Sequence, residues 1–349
     1  MKRLAVYFTA PGEVEAREEL LSAPQAGEVL VQTLVSAISA GTELLFYRGQ
    51  VPPDLPVDET IPALEGDVRY PLKYGYAAVG RVIMLGTGVP EEWLGRLIFS
   101  FHPHESHFVA SLADVIPVPQ DLTAEQAAFL PNMETAVTLV LDGTPLIGEQ
   151  VAVFGQGIVG LLATALLAQF PLASLVTLDR YPLRRRASQA AGAHNVVDPA
   201  APDALLQVRV LLQADRPYEG ADLCYELSGS PEALDQAIAV TGYHGRVVIG
   251  SWYGQKQAPL NLGGRFHRSR IRLIGSQVST IAPELRGRWG ASRRFGLAWE
   301  MIRRVRPERF ITHRFSLDQA AQAYQLLDRQ PAEAIQVMFC ADSHHQTEE

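Results

Sequence analysis

One short segment constrains this chain more than any other. Residues 151–167 read VAVFGQGIVGLLATALL, an apolar run, a glycine-spaced turn and a second apolar run, with no charged side chain. The first run has the continuous apolar character of a strand buried on both faces, and the second follows directly as a helix. Between them Gly155-Gln156-Gly157-Ile158-Val159-Gly160 is a G-x-G-x-x-G placed between strand and helix, the context that gives this motif its meaning. Gly155 permits the tight turn, Gly157 lets the backbone approach a pyrophosphate, and Gly160 lets helix and strand pack closely. The helix N-terminus then offers unpaired N–H groups and a partial positive charge to phosphate. The next strand, LASLVTLD, ends at Asp179, 179 − 155 = 24 residues after the first glycine. An acid at that place accepts hydrogen bonds from both hydroxyls of an adenosine ribose and repels a 2′-phosphate, which favours NAD. Arg180, Arg184 and the run to Arg186 suit a 2′-phosphate, so NADP stays open.

The surrounding pattern agrees. HNVVD, ADLCYELSG, GRVVIGS and IRLIGS are short buried strands, with helices such as PLRRRASQAAGA and SPEALDQAIAVTGYHG between them. Strand and helix alternating at this spacing imply βαβ units and a doubly wound parallel sheet. LTAEQAAFL begins a helix with Thr123 at its N-cap. Upstream of it the chain is β-rich: LAVYF, GEVLVQTLVSAI, GRVIML, GRLIFSF and SHFVAS are separated by proline and glycine. Residues 47–74 carry five prolines and no sustained periodicity; a loop of that length is either a lid or substrate-recognition loop, or a variable surface excursion. Near the C-terminus RRFGLAWEMIRRV and DQAAQAYQLLDR read as helices, EAIQVMFC as a strand and HHQTEE as a frayed tail.

Length and composition exclude other classes. A chain of 349 residues suggests two domains. Its net charge of −8 argues against a nucleic-acid partner, which needs a basic face. The arginines of residues 265–309 are read as a solvated helix face or a cofactor-side rim. The only cysteines, Cys224 and Cys340, sit in apolar runs and exclude a disulfide framework or a cysteine zinc cluster. No apolar run reaches the ~18 residues of a membrane span, and the opening MKRLAVYFTAPG lacks signal-peptide character, so a cytoplasmic location is expected.

From end to end the chain resembles the medium-chain dehydrogenase/reductase superfamily, the zinc alcohol dehydrogenase-like group. TAPGEVEAREE…GEVLVQTLVSAISAGTE is similar to its N-terminal GroES-like domain, VAVFGQGIVGLLATALL to its cofactor fingerprint, and ITHRFSLDQAAQAYQLL to its closing segment. The resemblance implies an α/β protein: a discontinuous GroES-like catalytic domain (residues 1–133 and 276–349) around a Rossmann domain (residues 134–275), with nicotinamide and substrate in the cleft between. It further implies cofactor contacts at Leu227, Ser228 and Gly229, at Ile249, Gly250 and Ser251, at Gly275 and Ser276, and at Thr135. Glu134 before it either lines the nicotinamide pocket or caps the following helix. Homodimers or homotetramers are common in the group.

The metal ligands of the family are missing. Where its G-I-C-G-T-D segment has cysteine, this chain reads Ala37-Ile38-Ser39-Ala40-Gly41-Thr42-Glu43; where its G-H-E has histidine, Gly75-Tyr76-Ala77; and Pro131–Asn132 stand at the third ligand. The four-cysteine lobe is also absent from the sequence, since GRLIFSF runs into HPHESHFV. The segments SAISAGTE and GYAAVG resemble a zinc-less branch of the superfamily that contains 2-desacetyl-2-hydroxyethyl bacteriochlorophyllide dehydrogenase. Another metal would have to use His102, His104 and His107 with Glu43, Glu65 or Glu134, and their spacing matches no known fingerprint. In a strand, His102 and His104 would share one face.

Hydride transfer without zinc still needs polarisation of the carbonyl or capture of the alcohol proton. Tyr76 and Ser39 stand where metal ligands stood and, with Thr42, offer hydroxyls to a substrate oxygen, while His102 would relay a proton. Tyr76 equally reads as a packed aromatic in a strand. The expected activity is NAD(P)-dependent interconversion of a small secondary alcohol and a ketone. Reduction of an activated C=C bond, as in the zinc-less quinone reductases, and a non-catalytic dinucleotide-binding role remain as alternatives.

Overall fold

The computed structural model describes residues 1–213 and 219–341, so the expected tail HHQTEE lies outside the described residues. The chain divides into two compact units, Met1–Pro131 with Arg306–Glu349, and Asn132–Val305.

The first unit opens with β1 (Lys2–Ala10), β2 (Glu13–Leu20) and β3 (Glu28–Ala37), then α1 (Ala40–Tyr47). It continues with β4 (Leu72–Lys73), β5 (Ala78–Leu85), β6 (Leu97–Ser100), β7 (His107–Ser111) and β8 (Val115–Pro117). Then come the short helix α2 (Ala124–Ala127) and, after the second unit, β15 (Ile311–Phe315), α9 (Ala320–Arg329) and β16 (Gln336–Cys340). Strands β2-β1-β4 form a three-stranded sheet, and β15-β16-β3-β5-β6-β8 form the path of a seven-stranded one, with β7 pairing β3. Thr123 and Gln126 cap α2 reciprocally, as the T-x-x-Q spacing requires. Residues 48–71 contain only a single 3-10 turn, Pro62–Leu64, yet they are not a loose excursion. Val51 and Leu64 are buried in one cluster with Phe8, Phe46, Tyr74 and Tyr324, and Val57, Ile61, Val68 and Tyr70 pack against it.

The second unit begins in α3 (Leu130–Gly143) and runs through β9 (Gln150–Phe154), α4 (Ile158–Leu167), β10 (Ser174–Leu178), α5 (Pro182–Ala191) and β11 (Asn195–Val197). It continues with α6 (Ala204–Leu211), β12 (Ala221–Glu226), α7 (Pro231–Val240), β13 (Thr241–Ile249), β14 (Arg272–Gly275) and α8 (Ala291–Val305). All strand pairings are parallel, in the order β11-β10-β9-β12-β13-β14. Counted from β9 that is 3-2-1-4-5-6, the dinucleotide-binding order. Alternate residues of β9 serve the two faces: Ala152 and Phe154 join one core cluster, Val151 and Val153 the other. Full burial of side chains the size of Val151, Val153 and Phe154 contributes ~1.5–3 kcal/mol each. The division falls after Val305, not at residue 276, because α8 is bound into the second unit: Arg294 reaches Glu134, Thr138 and the Thr280 carbonyl. Among the described residues, no helix is long and apolar enough to cross a membrane.

Candidate active site

In the second unit the sheet delivers the glycine turn to its carboxyl edge. Gly155 has φ +95°, and a Cβ there would stand 2.7 Å from the Ser228 backbone, so turn and following loop touch through the missing side chain. A Cβ on Gly160 would lie 2.0 Å from the Gly155 carbonyl oxygen. Gly157, the N-cap of α4, meets nothing within 4 Å on its Cβ side, leaving open space at the end of a ten-residue helix. Asp179 follows β10, with Oδ2 accepting the Gln156 N–H at 2.8 Å and Oδ1 the Tyr181 N–H at 2.8 Å. Each carboxylate oxygen keeps acceptor capacity for a hydroxyl. Arg180 is exposed, whereas Arg184 lies over the Tyr181 ring and Arg185 is paired with Asp198.

The ends of neighbouring strands align in register, Phe154 with Glu226, Glu226 with Ile249 and Ile249 with Gly275. Leu227–Gly229, Gly250–Ser251 and Ser276 therefore leave the same edge of the sheet, beside the point where the strand order reverses. Sequence reasoning missed the residue that organises this edge. Glu226 is fully buried; its Oε1 accepts from the Ser228 N–H (2.7 Å), the Ser228 hydroxyl (2.6 Å) and the Gly229 N–H (3.0 Å), and its Oε2 from Tyr253 (2.7 Å). Its signal was available, a carboxylate closing the apolar strand ADLCYE directly before Ser-Gly. Ser276 donates to Asp142 at 2.6 Å. Thr135 and Glu134 lie inside α3, which begins at Leu130, so Glu134 does not cap a following helix. It pairs with Arg294 at 2.5 Å while burial pushes its carboxyl above the ordinary range.

In the first unit Ser39, Thr42 and Tyr76 meet. Ser39 is the N-cap of α1 and Thr42 lies in that helix's first turn; Tyr76 precedes β5. The Tyr76 hydroxyl donates to Ser39 Oγ and lies 3.4 Å from Thr42 Oγ1. Burial pushes the Tyr76 phenol up to about 12, against the bonds to Ser39 and Thr42 and with the charges of Glu43 and Asp58 behind it. Tyr74 packs edge-on to it, itself stacked on Phe46 at 3.9 Å.

The three histidines separate. Strand β6 ends at Ser100, so His102 and His104 are not in a strand and do not share a face. His102 stacks on Phe108 at 4.1 Å, with Nδ1 3.5 Å from Glu105, which Arg3 and Lys73 also bind. Burial above all, then the Arg3 charge, pulls its imidazole down to about 3. Its Nδ1 is turned to that charge network. His104 is fully buried between Ser36 and Glu43, and His107 opens β7. Among the described residues no group of three or more His, Cys, Asp and Glu side chains is arranged to hold a metal ion.

Residues 159–291 match the family of zinc-binding dehydrogenases. A sorbitol dehydrogenase of Bacillus subtilis is 29% identical over 148 residues, 42% of this chain and 41% of that one, so this match spans about two fifths of the relative. By structure, 2R,3R-butanediol dehydrogenase from Bacillus subtilis aligns with a TM-score of 0.77 at 19% identity, over 97% of this chain and 100% of that one. A zinc-binding dehydrogenase from Sinorhizobium meliloti, bound to NADP, gives 0.77 at 20% identity, over 98% and 100%. Fold and glycine turn are thus those of proteins of the alcohol dehydrogenase type. The chain has the fold of these dehydrogenases and, over residues 159–291, the sequence pattern of their family.

Proposed function

We propose that this protein is an NAD(P)-dependent, zinc-independent dehydrogenase that interconverts a small secondary alcohol and its ketone. The observation that carries the reading is the glycine turn at the reversal of a parallel 3-2-1-4-5-6 sheet, with open space at Gly157 and Asp179 already oriented by two backbone N–H groups. These residues fit a dinucleotide: α4 presents its N-terminus to the pyrophosphate, Asp179 takes the ribose hydroxyls, and the loops fixed by Glu226 border the nicotinamide half. When bound, the nicotinamide supplies the redox chemistry. Asp179 favours NAD over NADP. A cytoplasmic homodimer or homotetramer accompanies the reading by resemblance.

The residues at the family's ligand positions do not fit a catalytic zinc. Ser39 and Tyr76 are hydroxyls bonded to one another, neither thiolate nor imidazole. With its ionisation pushed up to about 12, Tyr76 is protonated at neutral pH. In the ketone direction it gives its proton to the carbonyl oxygen as the carbon takes hydride and regains one from solvent; in the alcohol direction the proton leaves by the reverse path. Tyr76 also polarises the substrate carbonyl, as an oxyanion-type donor does, while Ser39, which accepts the Tyr76 proton in the resting arrangement, has its own O–H to give.

The reading is tested with a panel of secondary alcohols offered with NAD or NADP, and of ketones and enones offered with NADH or NADPH, followed by nicotinamide absorbance. Turnover of alcohols or ketones supports it. Reduction confined to enones would replace it with the C=C reductase, and tight NADH binding without turnover would leave a non-catalytic binding protein.

A further inference from the structure

Behind the hydroxyl corner lies a buried chain of polar groups that the reaction as described does not use. Ser36, Glu43, His104 and Tyr324 are each at most 1% exposed. Glu43 Oε2 receives both His104 Nε2, at 2.9 Å, and the Tyr324 hydroxyl, while its Oε1 accepts the Ser39 N–H at 2.6 Å. His104 Nδ1 lies 2.6 Å from Ser36 Oγ. A carboxylate can only accept, so the Nε2–H donates to Glu43, and Nδ1 pairs with the Ser36 hydroxyl on the other side of the ring. Both ring nitrogens then have a partner inside the protein, as a dry interior demands.

His104 also grips the other half of the corner. Its backbone N–H donates to the Tyr74 carbonyl at 3.3 Å. Its ring fills the space beside Gly75, where a Cβ would come within 2.7 Å of the imidazole; Gly75 also has φ +115°, so glycine alone suits the position on both counts. The imidazole thereby touches both segments that carry the hydroxyls: the segment of Ser39 through Glu43, and the segment of Tyr76 through Gly75, beside the backbone bond to Tyr74. Phe339, edge-on at 5.0 Å, closes the far side of the ring.

We propose that His104 is a positioning residue for the Tyr76–Ser39 pair, holding through Glu43 and Gly75 the two segments at the separation that lets a substrate oxygen meet both hydroxyls. The inference deepens the dehydrogenase reading and rests on it. A histidine rather than an apolar residue serves here because one ring spans two polar partners and still offers a flat face to Gly75. The tie acts on geometry, so it belongs to the precision of the site rather than to the chemistry itself.

The test is tyrosine labelled with 13C at Cζ, with the Tyr76 resonance among the 11 tyrosines assigned by its loss in Tyr76→Phe. At neutral pH, His104→Ala is expected to move that resonance in the direction that Ser39→Ala moves it, since both undo the phenol's bond. His104→Gln, whose amide reaches Glu43, is expected to move it less. On a substrate from the panel, His104→Ala lowers kcat by about tenfold or more with KM and NADH affinity within about twofold, and the glutamine restores much of the loss. If His104→Ala fails to fold, Ser36→Ala, which removes one oxygen and keeps the ring, is expected to give a smaller shift of the same sign. An unmoved resonance with unchanged kcat in a folded variant overturns the proposal and leaves His104 a packing residue. A moved resonance without turnover even in wild type supports the tie and refutes the dehydrogenase reading instead.

Discussion

In the phosphate turn six consecutive residues, from Gly155 to Gly160, carry the device, whereas the corner around Tyr76 draws Ser36, Ser39, Glu43, Gly75, His104 and Tyr324 from four separate stretches of chain. The difference is one of how each solves its backbone problem. The turn is made by what is missing: no side chain at Gly155 or Gly160, where a Cβ would strike backbone, and none at Gly157, where it would fill open space. The corner is made by what is added, a set of buried donors and acceptors that satisfy one another across the core of a β-rich unit. A local device tolerates change around it and fails on change within it. A distributed one is altered from several distant positions at once, since members of one network do not behave additively.

The largest effect should come from Gly160→Val. The side chain has only the Gly155 carbonyl to meet, so the turn must open, and NADH affinity by fluorescence titration should fall about 100-fold or more, with a lower Tm. Gly157→Ala separates geometry from ligand approach: its Cβ meets no protein atom, so Tm should stay put while affinity drops. An unchanged affinity there would break the account of the turn. In the corner, Tyr76→Phe should lower kcat about 100-fold with little change in cofactor affinity, because only the donor is removed. An unchanged kcat would return Tyr76 to the status of a packed aromatic. Next, Asp179→Ser should weaken NAD about tenfold and NADP less, a difference read by parallel titration; equal losses would contradict the ribose contact.

The smallest expected effect concerns His102, which lies beside Glu105. Its folded value, about 3, lies below the ordinary 6.5, so the unfolded chain binds the additional proton. Stability is therefore full above pH 6.5 and is lost as pH falls toward 3, with a limiting slope of about 1.4 kcal/mol per pH unit. His102→Gln should flatten the upper part of that fall in urea melts while leaving turnover unchanged. Glu19 adds a second loss lower down: despite its burial, hydrogen bonds from Tyr7, Lys73 and Arg3 hold it at about 2, so its contribution goes as pH falls below the ordinary 4.5.

The same contrast explains what was legible in the sequence. The second unit was readable because its signals are local: a continuous apolar strand, a glycine spacing, an acid at the next strand end, Gly192 closing α5 in the left-handed conformation. Ser39 and Tyr76 were found only because they stand at or near positions where the family carries ligands, and Thr42 as a hydroxyl beside Ser39. His102 and His104 were misread together, since the sequence gives no sign that β6 stops at Ser100 and that the two rings part. Tyr324 lies in the segment DQAAQAYQLLDR, read only as a helix, and nothing near it in the chain announces a carboxylate 281 residues away. Glu134 was ambiguous until Arg294, also far along the chain, supplied its partner.

The central claim, nicotinamide chemistry at a hydroxyl corner without zinc, is tested most directly by elemental mass spectrometry of the purified enzyme together with turnover before and after exhaustive chelation. The account predicts substoichiometric zinc, micromolar-range NADH binding and a rate untouched by the chelator. Stoichiometric zinc whose removal abolishes turnover and whose return restores it would contradict the account and move the chemistry away from Tyr76 and Ser39.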